Sequence, residues 1–285
     1  MYVITGATGA LNGATVDHLL ERVPASEIAV VARDVAKAQR FADLGIAVRH
    51  GDYAEPDSLV AAFDGADQVL LVSSSDPHAD ATALHSSAID AAVKAGAGRI
   101  LYTSHQGAAL DSPFHPAVDH FRTEQLLAAS GTPWTSLRNG FYAHSLDWLL
   151  GAWRETGAVV VPADGPVSWT SRDDSAEAAA IILASNGAYD GVATITASAA
   201  PTFEEATAIA AEVIGRPVSF EVVSEDDWIA GQVAAGAQEF MARFSLTMYQ
   251  SAAAGLFAGT DPLLAELLGR EPRSVRDLLE APVSH

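Results

Sequence analysis

The sequence predicts an α/β fold, a doubly wound parallel sheet carrying a smaller C-terminal α/β lobe. Three observations predict it. Short apolar runs alternate with helix-period segments through the first half of the chain. Those runs are apolar on both faces, as strands buried inside a parallel sheet are. After Gly140 the alternation loosens, yet no low-complexity linker and no internal repeat intervenes. The remainder should therefore pack on the sheet rather than hang from it.

The elements follow in order. YVIT (Tyr2–Thr5) is a strand leading to a helical stretch that ends near Val23. EIAVVA is the second strand, followed by a helix over Val35 to Leu44. IAVRHGD leads to the helical DSLVAAF, and DQVLLVSS leads to a helix from about Asp80 to Ala95. RILYTS leads to a helix over Val118 to Ser130, and WTSLRNG is the next strand. A helix around Ala143 to Glu155 precedes GAVVVPADG. Another helix starts near Asp173, where the acid pair Asp173–Asp174 reads as its cap. GVATITA is a strand, then come the helix FEEATAIAAEVIG, the strand VSFEVV and helices to the end. LLAELLGREP shows a helix stopped by Gly269 and then Pro272. The expected division is 1–140 for the sheet domain, with a strand near 192–196 joining its sheet, and 141–285 for most of the smaller lobe.

Composition narrows the function. A chain of 285 residues, 49% of them apolar, readily builds a sizeable core. The absence of cysteine excludes disulfides, thiolate catalysis and Cys-based metal sites. The net charge of −20 argues against nucleic acid and anionic membranes, which need a basic face. A small phosphate ligand remains open, because backbone N–H groups and one or two arginines can hold it. No apolar run reaches the ~20 residues that span a bilayer. The chain opens on a strand rather than a charged-then-apolar leader, so a cytoplasmic location is expected. Lysine is scarce, occurring only as Lys37 and Lys94.

The stretch TGATGALNG is the first candidate site. Gly6 and Gly9 have the spacing of a turn between a first strand and an amphipathic helix. The first glycine permits the tight turn, and the second lets the backbone approach a pyrophosphate at the helix N-terminus. That context predicts dinucleotide binding. The usual third glycine falls at Asn12, with Gly13 one residue later; Asn12 pushes the helix outward, or Gly13 substitutes by a register change. At the end of the second strand, Arg33 replaces the acid that NAD sites use for the ribose 2′-hydroxyl. A guanidinium suits a 2′-phosphate, and Lys37 can add charge, so NADP(H) is the expected cofactor. Asp34 is expected to cap the next helix and so point away.

Several segments carry a family resemblance. VITGATGALNG, VPASEIAVVARDVAKAQ, VRHGDYAEPDSL, LLVSSS, ILYTS, HFRTEQLL, SLRNGFY and TSRDDSAEAAA run in the order and spacing of the NmrA-like group of atypical short-chain dehydrogenase/reductases. Within it they look most like the type 2 NADPH-dependent quinone oxidoreductases and the triphenylmethane dye reductases. The resemblance spans nearly the whole chain. It implies a Rossmann-like lobe and a small C-terminal lobe, with cofactor and substrate between them. It implies that Gly6, Ala7, Thr8, Gly9, Ala10 and Leu11 hold the pyrophosphate, that Arg33 holds the 2′-phosphate, and that Ser73, Ser74 and Ser75 line the cofactor. It places Leu137, Arg138, Asn139, Gly140, Phe141 and Tyr142 beside the nicotinamide. Trp169 to Asp174 would close the site, with Arg172 reaching across the lobes.

The sequence also removes one chemistry. Ordinary short-chain dehydrogenases use a Tyr-x-x-x-Lys pair after the fifth strand, where the lysine lowers the phenol pKa. Here no tyrosine has a lysine four residues later, and HFRTEQ occupies that helix. A quinone tolerates the loss, because its delocalised hydroquinone anion can take a proton from water. The expected function is NADPH-dependent hydride transfer to quinones or similar conjugated acceptors such as dyes and azo compounds. A non-catalytic NADP(H)-binding redox sensor of the NmrA type is the alternative. His105, His120, Asn139 and Tyr142 are the candidates for positioning the acceptor, the histidines as neutral donors. Phe114, Phe141, Tyr142 and Trp169 can stack on a flat acceptor or serve only the core. His78 and His85 could share a helical face but lack a third ligand, so no metal is expected. The expected partner is a small quinone-like acceptor, with no nucleic acid and no membrane; a homodimer is left open.

Overall fold

β-branched and leucine-rich runs need both faces covered, and the chain supplies helices for each. The computed structural model describes residues 1–74, 76 and 79–280. Its first half runs β1 Tyr2–Thr5, α1 Ala10–Leu20, β2 Ile28–Ala32, α2 Gln39–Asp43, β3 Ala47–His50, α3 Pro56–Ala62, β4 Gln68–Leu71, α4 Ala81–Lys94, β5 Arg99–His105, α5 His115–Ala129 and β6 Trp134–Asn139. The second half runs α6 His144–Leu149, α7 Trp153–Thr156, β7 Ala158–Val161, α8 Arg172–Ala184, β8 Gly191–Ile195, α9 Phe203–Ile214, β9 Ser219–Val222, α10 Glu225–Ala234, α11 Glu239–Ala253, α12 Leu263–Leu268 and α13 Val275–Glu280. Among these residues seven strands form one sheet in the order β3-β2-β1-β4-β5-β6-β8, all parallel, and β7 pairs with β9 separately.

Strand alternation assigns side chains to two cores. Tyr2 and Ile4 face α1 and α8, packing with Val16, Leu19, Ile182 and Leu183. Val3, between them, faces the opposite helices and joins Leu59, Phe63, Ile89 and Leu127. A third core fills the C-terminal lobe around Trp153, Trp169, Phe203, Trp228, Tyr249 and Phe257. The strand order reverses between β1 and β4. Parallel α/β sheets open a ligand crevice at such a reversal, beyond the carboxyl ends of the strands.

Four local expectations are corrected. The helix expected over Ala143 to Glu155 is two, α6 and α7, because Gly151 adopts φ +71° and breaks it. The Val35 to Leu44 segment opens as a 3₁₀ turn, Val35–Ala38, before α2. α5 starts at His115, with Pro116 in its first turn, so His120 lies inside the helix rather than at its start. Ser171 caps α8 by accepting from the Asp174 amide, which leaves Asp173 and Asp174 in the first turn rather than at the cap. No helix among the described residues is long and apolar enough to cross a membrane.

Candidate active site

The crevice at the strand reversal begins with the glycine turn. Gly6 sits at φ +64°, where an added Cβ would fall 2.5 Å from Val72. The Gly9 amide then donates to the Gly6 carbonyl at 2.9 Å, and α1 starts at once. No side chain caps α1, and its first turn contains no acid. Its first amides and the positive end of its dipole are therefore left for a ligand. Ala7 is buried beneath the turn, whereas Thr8, Gly9 and Ala10 are exposed and Leu11 is half-buried.

Gly13 takes the role of the third glycine. A Cβ there would lie 2.8 Å from the Ala7 carbonyl, so only glycine lets α1 approach its own turn this closely. Asn12 is buried and does not push the helix away. Its Nδ2 donates to the Thr5 carbonyl at 2.8 Å, which ties α1 to the end of β1.

The open cleft holds about 240 Å³. Gly6 and Gly9 through Asn12 form one wall, and Val72, Ser73 and Thr103 form the floor at the ends of β4 and β5. Tyr142 and Arg172 face them. The Ser73 amide donates to Thr103 Oγ1 at 2.9 Å, and the Ser74 amide donates to His85 Nε2 at 2.7 Å. Ser75 and His78 lie outside the described residues. Arg33 is exposed at the end of β2, as is Lys37 beyond it, and neither forms an ion pair among the described residues. Asp34 instead caps the 3₁₀ turn by accepting from the Ala36 amide.

The facing wall is laced together by backbone. Tyr142 pairs with Thr170 in a short parallel bridge, and the Thr170 amide donates to the Phe141 carbonyl at 2.9 Å. Gly140 permits this approach, since a Cβ there would collide with Thr170 Oγ1 at 2.0 Å. Asn139 Nδ2 donates to the Tyr142 hydroxyl at 3.1 Å, while Asn139 Oδ1 has no partner. Burial raises the Tyr142 phenol pKa, so the ring keeps its proton and is free to donate it. Arg172, at the start of α8, has its guanidinium carbon 5.7 Å from the Tyr142 ring centre. Its Nη2 lies 2.8 Å from His144 Nδ1. Burial and that guanidinium lower His144 to about 4, so it is a neutral acceptor.

Three residues expected at the site sit behind it. Leu137 is in the core under α1 and α8. Arg138 is committed to Glu124 of α5, with Nε to Oε1 at 2.9 Å and Nη2 to Oε2 at 2.5 Å. Ser104 and Ser136 also donate to Glu124 Oε1, so this buried carboxylate is well satisfied. Trp169 is buried between Phe141 and Phe203, at ring distances of 5.5 and 5.6 Å. Conversely, sequence reasoning missed Val72 and Thr103. Their signal was position alone, at the carboxyl ends of two central strands.

His85 is buried and His105 and His120 are half-buried, and hydrogen bonds define the tautomers of His85 and His105. His85 Nε2 accepts from Ser74, so Nδ1 carries the proton and donates to Thr123 Oγ1 at 2.8 Å. Thr123 Oγ1 donates in turn to the Asp119 carbonyl at 2.7 Å. The Tyr102 hydroxyl lies 2.8 Å from His120 Nδ1. Burial lowers His85 and His105 to about 4 each, and it pushes His120 well below its ordinary value. All three are neutral near pH 7. His105 accepts from the Gly107 amide at Nδ1, 3.0 Å away, which puts its proton on Nε2.

The NmrA-like family model matches residues 2–250. The chain is 34% identical over 270 residues to quinone oxidoreductase 2 of Escherichia coli, covering 94% of each protein. The crystal structure of an NADPH-dependent quinone oxidoreductase from Escherichia coli with NADPH is similar at a TM-score of 0.89 and 32% identity, over 98% of both chains. The structure of the Citrobacter sp. triphenylmethane reductase complexed with NADP(H) is similar at a TM-score of 0.88 and 33% identity, over 98% of this chain and 99% of that one. The chain belongs to the NmrA-like family.

Proposed function

We propose that this protein is an NADPH-dependent reductase that passes hydride to quinones or similarly conjugated acceptors, including dyes and azo compounds. One observation carries the reading. An uncapped helix N-terminus behind a glycine turn faces Tyr142 and Arg172 across an open cleft. The residues fit a dinucleotide, since Gly9 is exposed at the uncapped start of α1 and carries no side chain to keep a pyrophosphate from the first amides. The relatives named for NADPH, quinones and triphenylmethane dyes support the same chemistry.

When bound, the reduced nicotinamide supplies the hydride. The amides at the start of α1 bind the pyrophosphate, and Arg172 brings positive charge from the opposite wall. Arg33, assisted by Lys37, holds the 2′-phosphate. The Ser73 and Ser74 segment, fixed by Thr103 and His85, lines the middle of the cofactor. The Gly140 to Tyr142 segment would flank the ring, with Asn139 Nδ2 donating to the Tyr142 hydroxyl and so leaving its proton free to point away from the amide. Burial raises the Tyr142 phenol pKa and outweighs the lowering by the Asn139 hydrogen bond and the Arg172 charge. That suits an acceptor whose reduced anion is delocalised and needs no strong acid.

The test is the loss of NADPH absorbance with a panel of quinones, triphenylmethane dyes and azo dyes. Turnover with at least one class is expected. Tight binding of both NADPH and NADP⁺ with no acceptor consumed would favour a redox-sensing regulator instead.

A further inference from the structure

We propose that His105 and the phenylalanines around it form the acceptor subsite, where the His105 Nε2–H binds a carbonyl oxygen of a flat aromatic acceptor. This rests on the reductase reading and adds where and by what group the acceptor is held.

The tautomer is fixed, because the Gly107 amide occupies Nδ1. Burial, reinforced by the Arg138 charge, keeps the ring neutral. Nε2 therefore carries a proton, and that buried N–H has no hydrogen-bond partner. Native interiors seldom leave such a donor unmade, because its desolvation is uncompensated. The surroundings are aromatic, with Phe257, Phe141 and Phe114 ring centres at 5.2, 5.6 and 5.8 Å. Aromatic faces are weak acceptors, so a carbonyl oxygen is the better partner. Phe114, Phe141 and Phe257 also touch one another, at 5.1 to 6.2 Å between ring centres, so a ligand that replaces these contacts must be apolar and aromatic apart from the oxygen that meets the N–H.

The subsite adjoins the cofactor cleft. His105 and Asn139 are register partners on β5 and β6, and Asn139 bonds Tyr142 on the cleft wall. On the outer side, Phe114 contacts Phe244 of α11 at 5.8 Å. Phe244, Phe240 and Met241 are exposed, at 36%, 63% and 40%. These apolar side chains lie between solvent and Phe114. His105 keeps its proton throughout; its role is binding and orientation.

The test compares binding of 1,4-naphthoquinone with that of 1,4-dimethylnaphthalene, a hydrocarbon of similar shape. Fluorescence quenching is followed without coenzyme and with saturating NADP⁺, which cannot reduce the quinone. The absence of cysteine removes thiol addition to the quinone. The wild-type protein should prefer the quinone by about tenfold to a hundredfold, the worth of a buried hydrogen bond. His105→Phe should abolish that preference, and His105→Gln, which keeps a donor, should retain most of it. The ¹⁵N signal of the wild-type His105 Nε2–H should also shift on adding naphthoquinone, a readout that needs no variant. Equal wild-type affinities, no quinone binding, an unmoved His105 signal or an intact preference in His105→Phe would each overturn the inference. Failure of the reductase reading shows separately, as absence of NADP⁺ binding or of NADPH turnover.

Discussion

At the scale of single residues, Arg33 and the buried histidines carry the sharpest expectations. Arg33 is exposed at the end of β2, and Asp34 is diverted to cap the next turn. Arg33→Ala should weaken NADPH binding by about 1–3 kcal/mol and leave NADH nearly unchanged, which calorimetry with both coenzymes will measure. Equal loss for both would remove Arg33 from the 2′-phosphate. His85 and His105 titrate near 4 in the folded protein, against an ordinary value of 6.5. As pH falls below about 6.5 the unfolded chain takes up these protons first. Each histidine then costs the native state about 1.4 kcal/mol per pH unit until pH approaches 4. Above 6.5 neither contributes a slope. Urea unfolding at pH 7, 6 and 5 should show falling stability, and replacing His85 by Asn should flatten the profile. Gly6, Gly9 and Tyr142, expected from the sequence, do line the cleft. Arg138 and Leu137 were misleading, because a motif read along one strand does not reveal that alternate side chains leave by opposite faces, and Trp169, outside any strand, is drawn into the lobe core.

At the scale of elements, α1 is held against its turn by one glycine contact and one amide bond. Gly13→Ala places a Cβ 2.8 Å from the Ala7 carbonyl, so α1 must shift outward. The variant should lose about 1–3 kcal/mol of stability, typical of overpacking, and bind NADPH more weakly. Thermal unfolding and calorimetry check the two effects together. The Glu124–Arg138 pair joins α5 to β6 with the carboxylate only 4% exposed. Glu124→Ala strands a half-buried guanidinium and two buried serines, and should cost about 3–5 kcal/mol in denaturant unfolding. The strands were the most legible elements, since apolar runs such as IAVVA and QVLL have nowhere to go but a covered sheet. The break between α6 and α7 was not, because the apolar spacing continues through Gly151. Only the burial of Trp153 in the lobe core shows why the chain turns there.

At the scale of the whole molecule, the C-terminal segment fastens the wall that faces the glycine turn. Asp174, fully buried in the first turn of α8, accepts from Arg270 Nη2 at 3.0 Å and from the Arg273 amide at 2.8 Å. Arg273 also reaches Ser171 and Asp173. This strap joins positions about a hundred residues apart, which is why the acid pair read as a simple cap from sequence alone. Asp174→Ala should cost about 1–3 kcal/mol and loosen the turn that presents Arg172, weakening NADPH binding as well. The fold class was legible because alternating strands and helices dictate a parallel sheet covered on both faces; the closure of the crevice depends on such distant contacts. The central claim is that the first amides of α1 grip a pyrophosphate, with the nicotinamide beside Tyr142. Its most direct test is a crystal structure with NADPH bound. Pyrophosphate oxygens should lie within about 3 Å of backbone nitrogens at the start of α1, with the ring against the Gly140 to Tyr142 segment. NADPH bound elsewhere, or that corner left empty at saturating coenzyme, would contradict the account.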